Sequence, residues 1–261
     1  MMTTTVGASL QFAHSLFTRG TDLFRAEEIR AVSRLDVSVP PVPFTEQELT
    51  RARELDQMLI YQPPAAITGR RIHELTGNKT SDDKPFLTDW YGRNEEFFTN
   101  DSIRNEWRLV SRAPIPGSRN QNYLEQTATL CEYLVQVFGT DMPKVAREAI
   151  AEFQSHKEEL VKLLDKDWKE AAKQLVALKV NQMFRETPAE AFWSLALYEG
   201  INHERLLPPG SWTWTNKLSS DGRVVDVGSF VEDGVGVDND NPRNRDDNLG
   251  VRFSRSGNLE L

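Results

Sequence analysis

The residue types that most often ligate metals or act as nucleophiles are few in this chain and lie far apart. The four histidines show no metal-ligand spacing; they are His14, His73, His156 and His203. The sequence contains no G-x-S-x-G elbow, no P-loop and no HExxH motif. Gly234-Val-Gly236 lacks the third glycine and the following helix of a dinucleotide-binding fingerprint. These patterns predict no catalytic residue and no cofactor.

Two isolated features could still carry chemistry. Cys131 lies on a predicted helix, where a small buried apolar residue is favoured over a nucleophile. The stretch Asp238-Asn-Asp-Asn-Pro-Arg243 begins like a calcium-binding loop. However, Pro242 and Arg243 occupy its fifth and sixth positions, where an oxygen ligand and a glycine are required. We therefore expect no metal site.

The composition limits the class of protein. The chain has 261 residues, and its 39 acidic and 31 basic side chains leave a formal net charge of −8. This balance disfavours a general nucleic-acid-binding protein, which would normally be basic. No apolar run approaches the roughly 20 residues that span a bilayer. The start of the chain lacks the basic residues and long apolar stretch of a signal peptide, which predicts a cytoplasmic location.

The first two thirds of the chain carry mainly helical patterns. Thr45-Glu-Gln-Glu48 has the form of a capping box and predicts a helix from about 45 to 60. Trp107–Ser111 alternates as a half-buried strand does. Residues 122–138 have one apolar helical face, and residues 141–186 continue in helix, with a break near Ser155 or Asp165 if they form two helices. Thr187-Pro-Ala-Glu190 then starts another helix, for which Gly200 is the predicted stop.

After residue 210 the periodicity changes from helical to alternating. The alternation predicts a small antiparallel sheet, with strands at Trp212–Thr215, Arg223–Phe230, Val235–Val237 and Leu249–Ser254. The apolar residues of these strands should bury the tail against the rest of the protein; they are Val225, Val227, Phe230, Leu249, Val251 and Phe253. Between Val231 and Asn248, nine of eighteen residues are Asp or Asn, which are typical of solvated loops.

The residues around this polar stretch resemble those of a known family. Trp212-Thr-Trp-Thr215, Ser220-Asp-Gly222, Val227-Gly228, Gly234 and Leu249-Gly-Val-Arg-Phe-Ser-Arg-Ser256 resemble the variable region of diversity-generating retroelement variable proteins. The resemblance extends upstream through Trp90-Tyr91, Trp107–Ser111, Asn122–Gln126 and Thr187–Glu190. It implies a C-type lectin fold, similar to that of the formylglycine-generating enzyme.

The resemblance also implies a domain organisation. The fold class is α+β, with long helical elaborations and a small antiparallel C-terminal sheet. Residues 1–60 form an N-terminal helical or extended segment. Residues 61–256 form the C-type lectin-like domain, which contains a helical insert at 120–200 and a variable region at about 212–256.

The family's mechanism implies which residues vary. Adenines of a template repeat are miscopied, so Asn codons that end in a pyrimidine become codons for Asp, Ser, Gly, Val, Arg and others, but never for Glu. Glu232 is therefore excluded. The residues that fit are Asp226, Ser229, Val231, Asp233, Val235, Asp238, Asn239, Asp240, Asn241, Arg243, Arg245, Asp246 and Asn248. We expect most of them to be exposed on one face and Gly228, Gly234, Gly250 and Val251 to hold the fold.

These inferences favour a non-catalytic protein that displays a ligand-binding surface. Its partner would be an unknown protein or surface ligand, and the acidic tail would suit a basic or polar one. Two alternatives remain open. One is an enzyme related to the formylglycine-generating enzyme, whose chemistry uses a cysteine pair, whereas this chain has only Cys131. The other is a phage-derived structural or interaction protein with an inert acidic tail.

Overall fold

The protein combines α and β structure, as the sequence predicts. The computed structural model describes residues 9–88 and 94–257, so Trp90 and Tyr91, which contribute to the resemblance, lie outside the described residues. The helices are α1 (Leu10–Leu16), α2 (Ala26–Ser33), α3 (Glu46–Glu54), α4 (Gly69–Leu75), α5 (Glu96–Thr99), α6 (Tyr123–Phe138), α7 (Lys144–Lys166), α8 (Trp168–Ala177), α9 (Lys179–Phe184) and α10 (Pro188–Asn202). The strands are β1 (Leu23–Phe24), β2 (Gln57–Gln62), β3 (Glu106–Ser111), β4 (Trp212–Leu218), β5 (Val224–Val231), β6 (Gly234–Asp240), β7 (Leu249–Gly250) and β8 (Ser254–Ser256).

The first sheet joins the two ends of the described chain. Its order is β1-β2-β3-β8, with β2 and β8 both antiparallel to β3 and β1 parallel to β2.

The predicted helix at 45–60 is wrong in its second half. The helix α3 begins at the predicted cap, Thr45, but ends at Glu54, and Asp56 adopts a φ of 50°. The chain then enters β2, which is buried along its whole length. A continuous apolar run such as Met58–Tyr61 is typical of a strand that is covered on both faces.

The helices α6 to α9 form a layer of their own. Asn122, the predicted cap of α6, accepts a hydrogen bond from the backbone N–H of Glu125, and Thr187 does the same for Glu190 in α10. The long helical run breaks at Asp167, two residues beyond the predicted Asp165, because the Asp167 side chain caps the start of α8. The helix α10 continues past Gly200 and ends at Asn202, and the next residue, His203, has a left-handed backbone.

The second sheet holds most of the polar tail. Its order is β6-β5-β4-β7, and β4 is antiparallel to β5 but parallel to β7, so the sheet is mixed and not purely antiparallel. The predicted strand Leu249–Ser254 is divided. Leu249–Gly250 pairs with β4, whereas Ser254–Ser256 pairs with β3 in the first sheet. The closing segment, residues 249–256, therefore connects the two sheets.

Two hydrophobic cores lie on opposite faces of the second sheet. Val225 and Val227 of β5 contribute to the first core, with α10 and the first sheet, whereas Val224 and Trp214 contribute to the second core, with α6 to α9. The apolar tail residues are buried as expected; Val225, Val227, Phe230, Leu249, Val251 and Phe253 are each at most 2% exposed. The tail is thus part of the folded body. The predicted domain boundary at residue 60/61 falls inside β2, and the first core contains residues from both sides of it.

Buried ion pairs hold the closing segment in place. Arg252 lies 3.1 Å from the carboxylate of Glu186, and Arg255 lies 2.8 Å from that of Glu48. The Arg252 side chain is 1% exposed and also donates a hydrogen bond to the carbonyl of Ser111. Because burial disfavours isolated charges, these guanidinium groups depend on their carboxylate partners.

Among the described helices, none is long and apolar enough to cross a membrane.

Candidate functional site

The structure distributes the predicted variable residues over three levels of exposure. Six are exposed: Asp233, Asp238, Arg243, Arg245, Asp246 and Asn248. Four are partly exposed: Ser229, Val231, Asp240 and Asn241. Three are buried: Asp226, Val235 and Asn239. The prediction of exposure is therefore wrong for Asp226 and Asn239. Val235 is also buried: it is 0% exposed and belongs to the core.

Strand alternation explains why these three residues are buried. Val235, Val237 and Asn239 alternate along β6 and project from the face that carries Val225 and Val227, towards the first core. Asp226 projects from the opposite face, where it is covered. The predicted codon set concerns residue types alone, whereas the pleat of the strand and the layers that pack on it decide which side chains reach solvent.

The exposed positions do not form one cluster. Val231 and Asp233 lie at the turn between β5 and β6, whereas Asp240 lies at the opposite end of β6. A strand of this length spans roughly 20 Å. The prediction of a single face is therefore corrected to two surfaces. The larger surface comprises Asp238, Asp240 and the loop at residues 241–248, hereafter the polar loop.

Backbone atoms anchor the polar loop. The carbonyl of Pro242 accepts a hydrogen bond from the N–H of Tyr123 at 3.0 Å, and the carbonyl of Asp246 accepts one from the N–H of Asn120 at 2.9 Å. The carbonyl of Asn248 accepts a third from the N–H of Trp212 at 2.8 Å. Every residue, proline included, supplies a backbone carbonyl, so these anchors do not depend on the loop's side chains.

One side-chain contact also ties the polar loop to α6. Arg245 lies 2.5 Å from the carboxylate of Glu125, and both side chains remain more than a third exposed. An exposed ion pair of this kind contributes about 0–1 kcal/mol. Arg245 also borders a cavity of about 370 Å³ that is lined in part by Gln121, Thr129, Glu132 and Lys157. Glu125 belongs to the upstream part of the resemblance but was assigned no role there, and no sequence pattern indicated this cavity.

Glycines fix the frame around the loop, as predicted. A Cβ at Gly228 would lie 2.2 Å from the carbonyl oxygen of Ser211, and one at Gly236 would lie 2.5 Å from the ring of Trp212. Gly234 has a φ of 107°, which other residues rarely adopt. The strands β4, β5 and β6 thus pack too closely for side chains at these points. The Trp212 ring lies against Gly236 of β6 and is partly exposed, a feature that the sequence did not assign to the site.

A group of four carboxylates lies beside Trp212 and is hereafter called the acidic face: Asp226, Asp238, Asp240 and Asp246. Asp226 and Asp238 are direct cross-strand partners, and Asp240 is the next residue of β6 on the same face. Asp226 is 3% exposed, and its Oδ2 atom has no hydrogen-bond partner among the described residues. Burial raises the pKa of Asp226 well above its ordinary value, and the charges of Asp240, Asp238 and Asp246 raise it further.

The remaining candidates for chemistry lie apart from this surface. Cys131 is buried in the second core, and burial raises the pKa of its thiol to about 12, which opposes the thiolate form that a nucleophile requires. His156 and His203 are exposed, and His14 and His73 are partly exposed. Within residues 9–88 and 94–257, no group of three His, Cys, Asp or Glu side chains is placed to hold a metal ion.

Comparisons with protein-family models, curated proteins and solved structures found no match to this chain.

Proposed function

We propose that this protein is a non-catalytic, ligand-binding display protein with a C-type lectin-like fold, whose tail residues are diversified by a retroelement. The observation that carries the proposal is the anchoring of the polar loop through the carbonyls of Pro242, Asp246 and Asn248. A surface whose residues change must keep its backbone path while its side chains vary. Anchors made by backbone atoms meet that requirement.

The energetic contrast between the loop and its frame also supports the proposal. Arg243, Arg245, Asp246 and Asn248 are exposed, and substitutions at such positions typically change the free energy of unfolding by within about ±0.5 kcal/mol. At Gly228 a single added carbon would overlap the backbone of β4, and overpacking of this kind typically costs about 1–3 kcal/mol. Positions that tolerate substitution thus lie between positions that do not, which is what a surface with changing side chains requires.

A pair of libraries tests the proposal. The first randomises Asp238, Arg243, Arg245, Asp246 and Asn248 with codons that end in a pyrimidine, and the matched control library randomises Gly228, Gly250 and Phe253 in the same way. Asn239 is left unchanged because it is buried. Each library is sorted for protease resistance as a measure of folding, and the folded members are sorted for binding to a panel of proteins.

We expect most members of the first library and few of the control library to fold, and folded members should differ in the partners that they bind. Tyrosine should be enriched among the binders because it adds apolar contact area with a polar tip. If the five randomised positions prove as intolerant as Gly250 or Phe253, the tail is ordinary structure and the proposal fails. The retroelement itself requires a nearby reverse-transcriptase gene and a template repeat that differs from the tail's coding sequence at adenines; an intact locus without them would refute diversification.

A further inference from the structure

The acidic face contains more negative charge than its surroundings compensate. Asp226 is buried, and its Oδ2 atom lacks a partner among the described residues. Asp238 accepts a hydrogen bond from the N–H of Asn239, and Asp240 accepts one from the side-chain amide of Asn244. Those donors are neutral. A buried carboxyl oxygen without a hydrogen-bond partner is unfavourable, so the site is incomplete as it stands.

The geometry places these carboxylates on one face of the second sheet. In an antiparallel sheet, directly opposed residues have Cβ atoms about 4.5–5.5 Å apart, which brings Asp226 and Asp238 together. Asp240 follows two residues later on the same side of β6, and Asp246 approaches from the polar loop. β6 is the edge strand of its sheet. The acidic face therefore borders solvent, with Asp226 as its floor and the other three carboxylates as its rim.

The charged groups on neighbouring elements do not neutralise the carboxyl group of Asp226. Arg223, which precedes β5, acts on Asp240 and is 49% exposed in its side chain. From β4 the cross-strand neighbour of Asp226 is Trp214, whose indole Nε1 is also buried without a partner among the described residues. Behind Trp214, Arg185 lies over the ring of Tyr123, with its guanidinium 4.0 Å from the ring centroid. Burial and the acidic rim dominate the environment of Asp226.

An aromatic ring adjoins the acidic face. Trp212 lies on the same side of the second sheet, and its ring covers Gly236, the residue of β6 that lies two positions before Asp238. That spacing places the ring roughly 7 Å from the Asp238 position along the strand. An indole face next to carboxylates is a favourable environment for an organic cation, because the ring quadrupole and the negative charges act together.

We propose that the acidic face receives the guanidinium or ammonium group of a basic segment in a protein partner. This inference rests on the proposed function, in that it names the ligand class of the same display surface. An organic cation suits the site better than a metal ion does, since the described acidic side chains are not placed to ligate one metal together. A guanidinium presents five N–H donors in a plane and can contact several separated carboxylates at once.

The chemistry of Asp226 makes the binding reaction distinctive. The raised pKa favours the protonated carboxyl in the free protein. A cation that arrives beside it favours the carboxylate, so binding should release a proton from Asp226. An ordinary solvated aspartate is ionised at neutral pH, so simple attraction between a basic ligand and groups of that kind would release no proton. Binding should also tighten as pH rises towards the pKa of Asp226, because the cost of deprotonation falls.

Isothermal titration calorimetry tests this inference directly. The probe is a blocked octapeptide of alternating arginine and glycine, and the control peptide carries glutamine in place of arginine. Each titration is run at low salt in phosphate and in Tris, whose different ionisation enthalpies reveal the number of protons released. The variants are Asp226→Asn and Asp238→Asn, with Asp233→Asn as the matched control, because Asp233 is an exposed aspartate at the opposite end of the hairpin. Circular dichroism confirms that each variant is folded.

We expect the arginine peptide to bind with proton release and the glutamine peptide not to bind. Asp226→Asn should weaken binding at least about tenfold and abolish proton release, whereas Asp233→Asn should behave like the unaltered protein. Asp238→Asn, at an exposed position, tests the rim without disturbing the core. Equal affinity of Asp226→Asn, binding without proton release, or displacement of the peptide by micromolar calcium would each overturn the proposal. The absence of binding by the arginine peptide would also overturn the proposal. If the first library still yielded mostly folded members, that outcome would leave the proposed display function standing.

Discussion

At the scale of single residues, Asp226 should make the stability of the protein depend on pH. Burial and three neighbouring carboxylates raise its pKa in the folded state above its value in the unfolded chain. The protonated carboxyl therefore favours folding at pH values below the unfolded pKa of about 3.9, and this contribution is lost as pH rises through the folded pKa. Asp226→Asn keeps the shape and removes the ionisation. We expect the variant to melt at a higher temperature than the unaltered protein at pH 7–8.

The pH dependence of the melting temperature is the control for Asp226→Asn. The difference in melting temperature between Asp226→Asn and the unaltered protein should shrink towards pH 4. At that pH the Asp226 carboxyl of the folded protein is protonated and is therefore uncharged, like the amide of the variant. Asp233→Asn changes an exposed aspartate of the same hairpin and should alter neither the melting temperature nor its pH dependence by a comparable amount. A difference for Asp226→Asn that is constant from pH 4 to pH 8 would show that ionisation is not the cause.

Residue types alone could not reveal this site. The sequence identified Asp226 as a tail residue that fits the codon set, and in the structure it faces away from Val225 and Val227. Its burial depends on the layers that cover that face of β5, which come from segments far away in the chain, including Tyr123 and the polar loop. The exposed aspartates were predictable from their setting among turn residues, whereas the buried one was not.

At the scale of elements, the closing segment depends on the ion pair of Arg252 with Glu186. Burial raises the pKa of Glu186, and the guanidinium of Arg252 opposes this effect. In Arg252→Met the carboxylate would remain buried without its cation, and breaking a buried pair in this way costs about 3–5 kcal/mol. We expect the free energy of unfolding, measured by urea denaturation, to fall by that amount.

A second substitution separates the charge from the packing. Combining Arg252→Met with Glu186→Gln removes both charges, so the double variant should recover much of the lost free energy of unfolding. Arg223→Met is the matched control, because that arginine is about half exposed and its loss should cost less than about 1 kcal/mol. Additive losses in the double variant would mean that the two groups do not stabilise each other.

The elements differ in how far they could be predicted. Helices α6, α8 and α10 begin at or beside side-chain caps, which are local signals that a sequence displays directly. The boundary between α3 and β2 was misplaced because Met58 and Leu59 fit a helical face as well as a strand. The division of residues 249–254 between two sheets was missed for another reason. Alternation continues unbroken through that segment, and only pairing with distant β3 and β4 decides where each half belongs.

At the scale of the whole molecule, Phe253 joins the tail to the second core. Its ring lies 5.4 Å from that of Tyr133 and 6.3 Å from that of Phe184, between centroids, and it is fully buried. Phe253→Ala should reduce the free energy of unfolding by about 3–5 kcal/mol, since it removes a large buried ring and leaves a cavity. Thermal unfolding measures the loss. Asn248→Ala, an exposed change near the same segment, should leave the unfolding curve unaltered.

The α+β class and the burial of the tail followed from periodicity, because local alternation and apolar spacing report which elements form. The arrangement of those elements did not follow. β3 and β8 are separated by more than a hundred residues, and no local pattern specifies that they pair. The division of the exposed tail residues into two surfaces has the same origin, since it depends on the direction in which β6 crosses the molecule.

The position of the closing segment has a consequence for biosynthesis. All other described strands precede residues 249–256, yet each sheet needs part of this segment to be complete. A nascent chain that stops or shifts its reading frame anywhere within the polar loop would therefore lack the strand that completes the first sheet. Such a product would expose apolar surface and become a substrate for proteases. If the tail is diversified as proposed, such truncated products would be degraded and only in-frame variants would accumulate in the cell.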